Sequence, residues 1–232
     1  MYKIVIFDLD GTLLDTIGDL GTAGNRTCRK FGWREHDFSE YPSMVGHGMR
    51  NLIRNLKGGL KPGENPEPEL EREALAYFRA SYAACYLETT KPYKNMPEIL
   101  KKLKSAGVLM GVCSNKDDIF TRELIEKFYP GIFGAVRGGR PETPVKPDPA
   151  GALEVLKILK NLKSAKAGTG EKIKILFVGD SVTDINTGRA AGFDVCSVTW
   201  GYRPEENLKA AAPDFIAHTP QEAAEIILHA DE

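Results

Sequence analysis

Short unbroken apolar runs alternate along this chain with longer stretches in which apolar residues recur every three or four positions. "IVIF" at 4–7, "VLMGVC" at 108–113 and "IKILFV" at 173–178 have the length and continuity of strands buried on both faces of a sheet. The weaker runs "FDVCSV" and "DFIA" follow near the end. Between the runs, "NMPEILKKLKSAG" sets Met96, Ile99, Leu100 and Leu103 on one helical face and closes on Gly107, a residue suited to a C′ position. Asp148 followed by Pro149 reads as an N-cap and first helical residue, opening a helix through Leu159. This alternation predicts an α/β fold, an open parallel sheet with helices on both faces.

Residues 17–89 break the alternation. The segment offers helical periodicity and no convincing buried strand, and in "LEREALAYFRASYAACYLE" the residues Leu70, Ala74, Leu75, Tyr77, Phe78, Tyr82 and Tyr86 gather on one side as a core stripe. The expected organisation is therefore a core of residues 1–16 and 90–232 with an α-helical cap domain, 17–89, inserted after the first strand. "KGGLKPGENPEPE" reads as a Gly/Pro-rich connection inside the insert, and "KNLKSAKAGTGEK" as a basic loop before a later strand.

Charge narrows the function classes. With 31 Lys plus Arg against 32 Asp plus Glu, nothing in the balance points to diffuse basic binding, so neither nucleic acid nor an anionic membrane is expected as the main partner. The opening run breaks at Asp8, too short for a signal-peptide core or a spanning helix. Cys28, Cys85, Cys113 and Cys196 are scattered without a CxxC pair, which points to reduced thiols in a cytoplasm.

Parallel sheets bind ligands at the carboxyl ends of their strands, so the residues following each apolar run carry the chemical signal. The first run ends in Asp8 and Asp10, the second in Ser114 and Asn115, and the third in Gly179, Asp180, Ser181 and Asp184, while Lys146 precedes the helix opened by Asp148. Asp8, Asp10 and Asp180 converging without compensation would repel one another. Mg²⁺ would resolve the repulsion, because it takes oxygen ligands and commonly bridges one or two carboxylates to a substrate phosphate.

"DLDGT" after the first strand, "SN" after the second, a lysine beside a helix start and "GDSVTD" after a later strand together resemble the haloacid dehalogenase superfamily of aspartyl phosphatases. The likeness covers nearly the whole chain, with the family's helical cap falling where this chain has its helical segment. It implies Asp8 as nucleophile and metal ligand, and Asp10 as general acid and then base, its backbone carbonyl touching the metal. By the same resemblance Ser114, Asn115 and Lys146 bind the phosphoryl group, Asp180 ligates the metal, and Asp184 supports that shell through water or Lys146. Gly11 allows a backbone turn near the metal, and Thr12 steadies Asp10.

The closing stretch "TWGYRPEENLKAAAPDFIAHTPQEAAEII" and the cap stretch "MVGHGMRNLI" are similar to phosphoglycolate phosphatase-like members of the family. They make 2-phosphoglycolate the leading substrate among small phosphorylated metabolites. Gly46, His47 and Arg50, at the start of a cap helix, are candidates for reading a substrate carboxylate. His36, His218 and His229 read as surface residues. A sugar-phosphate mutase or pyrophosphatase of the same family, and a phosphorylatable receiver-like signalling module, are the alternatives. A monomer or a homodimer is expected.

Overall fold

The structure, a computed structural model, describes residues 1–58, 67–164 and 173–229, without the side chains of 163 and 164. Two compact units emerge: Met1–Leu14 with Pro92–Glu232, and the inserted Asp15–Lys91. The chain opens with β1 (Ile4–Phe7) and β2 (Leu14–Asp15). The insert follows with α1 (Ile17–Phe31), a 3₁₀ turn at Phe38–Glu40, α2 (Tyr41–Met44), α3 (Met49–Leu56), α4 (Pro68–Ala83) and β3 (Lys91–Pro92). The remainder runs α5 (Met96–Ser105), β4 (Leu109–Asp117), α6 (Asp118–Phe128), β5 (Ala135–Gly139), α7 (Ala150–Ser164) and β6 (Ile175–Gly179). It closes with α8 (Val182–Ala190), β7 (Asp194–Val198), α9 (Glu205–Ala210), β8 (Phe215–Ala217) and α10 (Pro220–His229).

Six strands form one sheet in the order β5-β4-β1-β6-β7-β8, every neighbouring pair parallel. All four residues of β1 are buried, so both of its faces are covered, as the continuous apolar run requires. Ile4 and Ile6 pack with Val155, Leu156 and Leu159 of α7, while the alternate residue Phe7 meets Phe133 edge-on. Phe7 stands opposite Val112 of β4 and Val178 of β6, which brings Asp8, Ser114 and Asp180 to neighbouring strand ends. The strand order reverses between β1 and β6, and that reversal is where an open α/β sheet leaves a crevice for a ligand.

Two features of the core unit depart from expectation. The edge strand β5, "AVRGG", lacks an apolar run; its buried Arg137 is neutralised by Glu154 of α7, Nε to Oε2 2.6 Å. Helix α7 runs past Leu159 to Ser164, with Leu162 lying over Gly134, so the first part of the expected basic loop is helical. Most of that loop, and most of "KGGLKPGENPEPE", lies outside the described residues. At the other end of α7, Asp148 does act as a cap, its Oδ1 accepting from the Ala150 N–H at 2.8 Å. All four cysteines are free and buried, and among the described residues no helix is long and apolar enough to cross a membrane.

The insert has its own core. In α4 the residues Ala74, Phe78 and Tyr82 are buried, whereas Tyr77 is exposed and meets Phe31 edge-on, so the stripe is narrower than expected. His36 is buried rather than on the surface: its Nε2 lies 3.1 Å from Leu56 O, and its backbone N–H donates to Asn25 Oδ1. Asp19, in the first turn of α1, joins the two ends of the insert. Its carboxylate accepts from Thr89 N and Oγ1 and from Thr90 N at 2.6–2.9 Å; Asp19 and Thr90 are buried, whereas Thr89 is exposed. Replacing Asp19 by Ala strands the buried Thr90 N–H and breaks both bonds from Thr89, and we expect a loss of about 2 kcal/mol in a denaturant melt of the whole chain. Asp19→Asn, which keeps an acceptor, should lose less.

Candidate active site

Chemistry gathers where β1, β4 and β6 end. Lys146 is the centre of charge: its Nζ lies 2.7 Å from Asp8 Oδ1 and 2.7 Å from Asp184 Oδ1, and all three side chains are buried. Burial alone would lower the Lys146 pKa, but the carboxylates of Asp184 and Asp8 outweigh it and hold the ammonium charged. The backbone that carries Lys146 is clamped by Asn115, whose Oδ1 accepts from Lys146 N at 2.7 Å while its Nδ2 donates to Lys146 O at 3.1 Å. The Asn115 amide thus places the lysine instead of standing open for phosphate. Ser114, also buried, uses a lone pair to accept from Lys116 N–H at 3.2 Å, which leaves its own proton to donate.

Oxygens of Asp8, Asp180 and Asp184 lie within 4.8 Å of one another. Burial, opposed by Lys146 and reinforced by Asp184 and Asp180, holds Asp8 well above its usual range. Burial and the neighbouring Asp184 push Asp180 up to about 7, against the Tyr202 N–H that bonds its Oδ2 at 2.7 Å. One ammonium among three buried carboxylates leaves a surplus of negative charge, and an all-oxygen donor set suits a hard divalent cation. The residues present therefore fit a divalent metal, held by Asp8 and Asp180 with Asp184 close enough to contribute. Gly11, at φ +85°, is the only residue type that suits this turn, since a Cβ there would lie 2.4 Å from Asp180 Oδ2.

Sign follows from these shifts. A carboxyl whose pKa is raised on folding binds its proton more tightly when folded, so metal-free stability falls as pH rises from about 4 to about 7. Protons and the cation compete for the same oxygens. The melting temperature gained on adding Mg²⁺ should accordingly be larger at about pH 8 than at about pH 5, by roughly 5 °C, in scanning calorimetry of EDTA-stripped protein. An equal gain at both values would contradict the competition.

The carbonyl of Asp10 is the atom expected to meet the metal, and its carboxylate is engaged elsewhere. Lys116 Nζ lies 3.0 Å from Asp10 Oδ1 and 3.3 Å from Oδ2. Thr12, expected to steady Asp10, donates instead to Asp180 Oδ1 at 3.4 Å, while its carbonyl accepts from the Trp200 indole N–H at 3.1 Å. Lys116, Trp200 and the Tyr202 backbone are the site residues that sequence reasoning missed. Lys116 directly follows "SN" at a strand end and was legible by the same rule that found Ser114.

The cap candidates belong to the inserted unit. Gly46 and Gly48 have φ of +107° and +83° and lead into α3, and His47 between them is exposed. Arg50 Nε lies 3.2 Å from Glu71 Oε1, a carboxylate shared with Arg54, and the Arg50 side chain stays exposed. His218 and His229 are exposed, as expected.

Comparison with known proteins follows the same outline. Residues 5–198 match the family model described as haloacid dehalogenase-like hydrolase. A phosphoglycolate phosphatase of Aquifex aeolicus is 29% identical over 97% of this chain and 96% of its own length. Phosphoglycolate phosphatase 1 of Pseudomonas aeruginosa is 32% identical over 99% of this chain and 84% of its own. A crystal structure from Lactobacillus delbrueckii subsp. bulgaricus aligns with a TM-score of 0.86 at 27% identity, covering 97% of this chain and 98% of that one. With a buried lysine set between acids that follow two neighbouring strands, and a family match running from the first strand through β7, the chain belongs to the haloacid dehalogenase-like hydrolases and is a phosphatase.

Proposed function

We propose that this phosphatase hydrolyses a small phosphomonoester, 2-phosphoglycolate, in a Mg²⁺-dependent reaction that passes through an aspartyl phosphate on Asp8. The observation that carries the chemistry is Lys146 Nζ at 2.7 Å from both Asp8 and Asp184. A buried ammonium in that position balances an incoming phosphoryl group beside carboxylates that would otherwise repel it. Support for the substrate comes from the relatives of Aquifex aeolicus and Pseudomonas aeruginosa, which are named for phosphoglycolate and align along nearly all of this chain, the insert included. The free, buried cysteines support a cytoplasmic setting.

Asp8 attacks phosphorus with a carboxylate oxygen, forming the O–P bond as the ester P–O bond breaks. Asp10 gives its proton to the departing alkoxide, which leaves as the alcohol. Asp10 then takes a proton from water as that water attacks the phosphoaspartate, releasing phosphate and restoring Asp8. Ser114 donates to a phosphoryl oxygen, and Lys146 balances its charge throughout. A bound divalent cation lets an anionic nucleophile approach an anionic phosphate. In the cap, Gly46, His47 and Arg50 read the substrate carboxylate.

Phosphate release should be assayed with Mg²⁺ or EDTA over 2-phosphoglycolate, pyrophosphate, nucleoside monophosphates and sugar phosphates. A kcat/KM at least about tenfold higher for 2-phosphoglycolate, abolished by EDTA, is expected. Preference for another ester would keep the reaction and replace the substrate. Arg50→Ala should impair 2-phosphoglycolate more than an uncharged aryl phosphate; equal loss on both would remove Arg50 from substrate reading.

A further inference from the structure

The residue asked to deliver and recover the proton, Asp10, lies beyond the end of β1, where the sheet ladder no longer fixes its side chain. Lys116 faces it from β4, and the Lys116 side chain is only 2% exposed. Taking an ammonium out of water is costly, so the direction in which this one is aimed matters. The ammonium reaches both carboxylate oxygens, at 3.0 and 3.3 Å, which fixes the direction of the carboxylate as well as its position.

Lys116 is itself held firmly. Its carbonyl accepts from Thr121 Oγ1 at 3.1 Å, and its N–H donates to Ser114 Oγ at 3.2 Å. A Cβ on Gly138 would come within 2.6 Å of the Lys116 carbonyl oxygen, so β5 presses directly on this segment. A register shift between Cys113 and Asp117 in the β4–β5 ladder falls across the same residues, and such an irregularity re-aims side chains at a strand end. The two buried lysines divide the acids between them: Lys146 serves Asp8 and Asp184, and Lys116 serves Asp10.

We propose that Lys116 is a positioning residue of the phosphatase reaction, orienting the Asp10 carboxylate toward the oxygen of the leaving group. This rests on the acid and base role given to Asp10 above. Without Lys116 the acid remains present but is misdirected, and esters whose leaving group needs a proton suffer most.

The test compares Lys116→Met, Asp10→Asn and the double variant on 2-phosphoglycolate, with its poorly leaving alkoxide, and on p-nitrophenyl phosphate, whose phenolate departs without a proton. The readout is the ratio of kcat/KM for the alkyl ester to that for the aryl ester, measured with Mg²⁺. We expect this ratio to fall by about 10²-fold in Lys116→Met, and the double variant to match Asp10→Asn alone. Equal losses on both esters in Lys116→Met, or a double variant markedly worse than Asp10→Asn, would overturn the proposal while leaving the role of Asp10 intact. If Asp10→Asn leaves the ratio at its wild-type value, the acid role fails and the proposal with it. Lys116→Gln, which keeps a donor without the charge, takes the place of Lys116→Met if the latter does not fold, and the same ratio decides.

Discussion

Asp8→Asn should reduce steady-state phosphate release by about 10⁴-fold or more while leaving the protein folded. The amide is nearly the shape of the carboxylate but cannot form the aspartyl phosphate. Lys146 keeps its bond to Asp184 at 2.7 Å, so the variant strands no buried ammonium. Stability should move the other way. Burial holds the folded Asp8 pKa well above the unfolded value, so above the unfolded pKa this carboxyl opposes folding, and a neutral amide removes that penalty. Metal-free Asp8→Asn should therefore melt a few degrees higher than wild type at about pH 8, and the gain should vanish below about pH 4, where both states are protonated. Phosphate assays and calorimetry in EDTA measure the two effects on one preparation. Residual release above about 1% of wild type would mean that another group attacks phosphorus.

Lys146→Met should produce the largest loss of stability. Removing the ammonium leaves Asp8, Asp180 and Asp184 buried and mutually repelling, which we expect to cost about 3–5 kcal/mol and roughly 10 °C in melting temperature. The folded pKa of Lys146 is raised, so its own contribution is complete below the unfolded value near 10 and is lost only as pH rises through the folded one. Across the neutral range the pH dependence comes from Asp8 and Asp180, whose pKa burial raises: the destabilisation should shrink as pH falls and these carboxyls take up protons, and grow as pH rises through about 7 and Asp180 ionises. Mg²⁺ should restore part of the stability and little of the activity, since the phosphoryl group still lacks its ammonium. A melting temperature within about 2 °C of wild type at pH 8 would refute the charge balance described for this site.

The sheet was legible because its central strands are continuous apolar runs, and the catalytic motifs were legible because they follow those runs directly. Ser114, Asp8 and Asp180 come together for a reason visible in one dimension: each ends a strand, and the strands are neighbours. What escaped had no such signature. β5 is held in place by an arginine and a glutamate from a distant helix, so its residues show neither alternation nor a run. His36 is buried by the packing of the insert around Asn25 and Leu56, which no local pattern announces. Adjacency in sequence favours Asp10 as the partner of Thr12, whereas the turn at Gly11 brings the hydroxyl to Asp180. Lys116 is the exception: it follows the second run as Ser114 does, but a buried lysine and an exposed one read alike in sequence.

The insert closes on itself, with Asp19 binding Thr89 and Thr90, so its first and last residues meet within its own fold. A segment built this way behaves as a cassette. The host sheet has to supply only two neighbouring attachment points after its first strand, and the reacting acids and lysines all lie outside the exchanged piece. On the proposed reading, in which the insert meets the substrate, preference would change by replacing or reshaping residues 15–91 as a block, without renegotiating the chemistry at the strand ends.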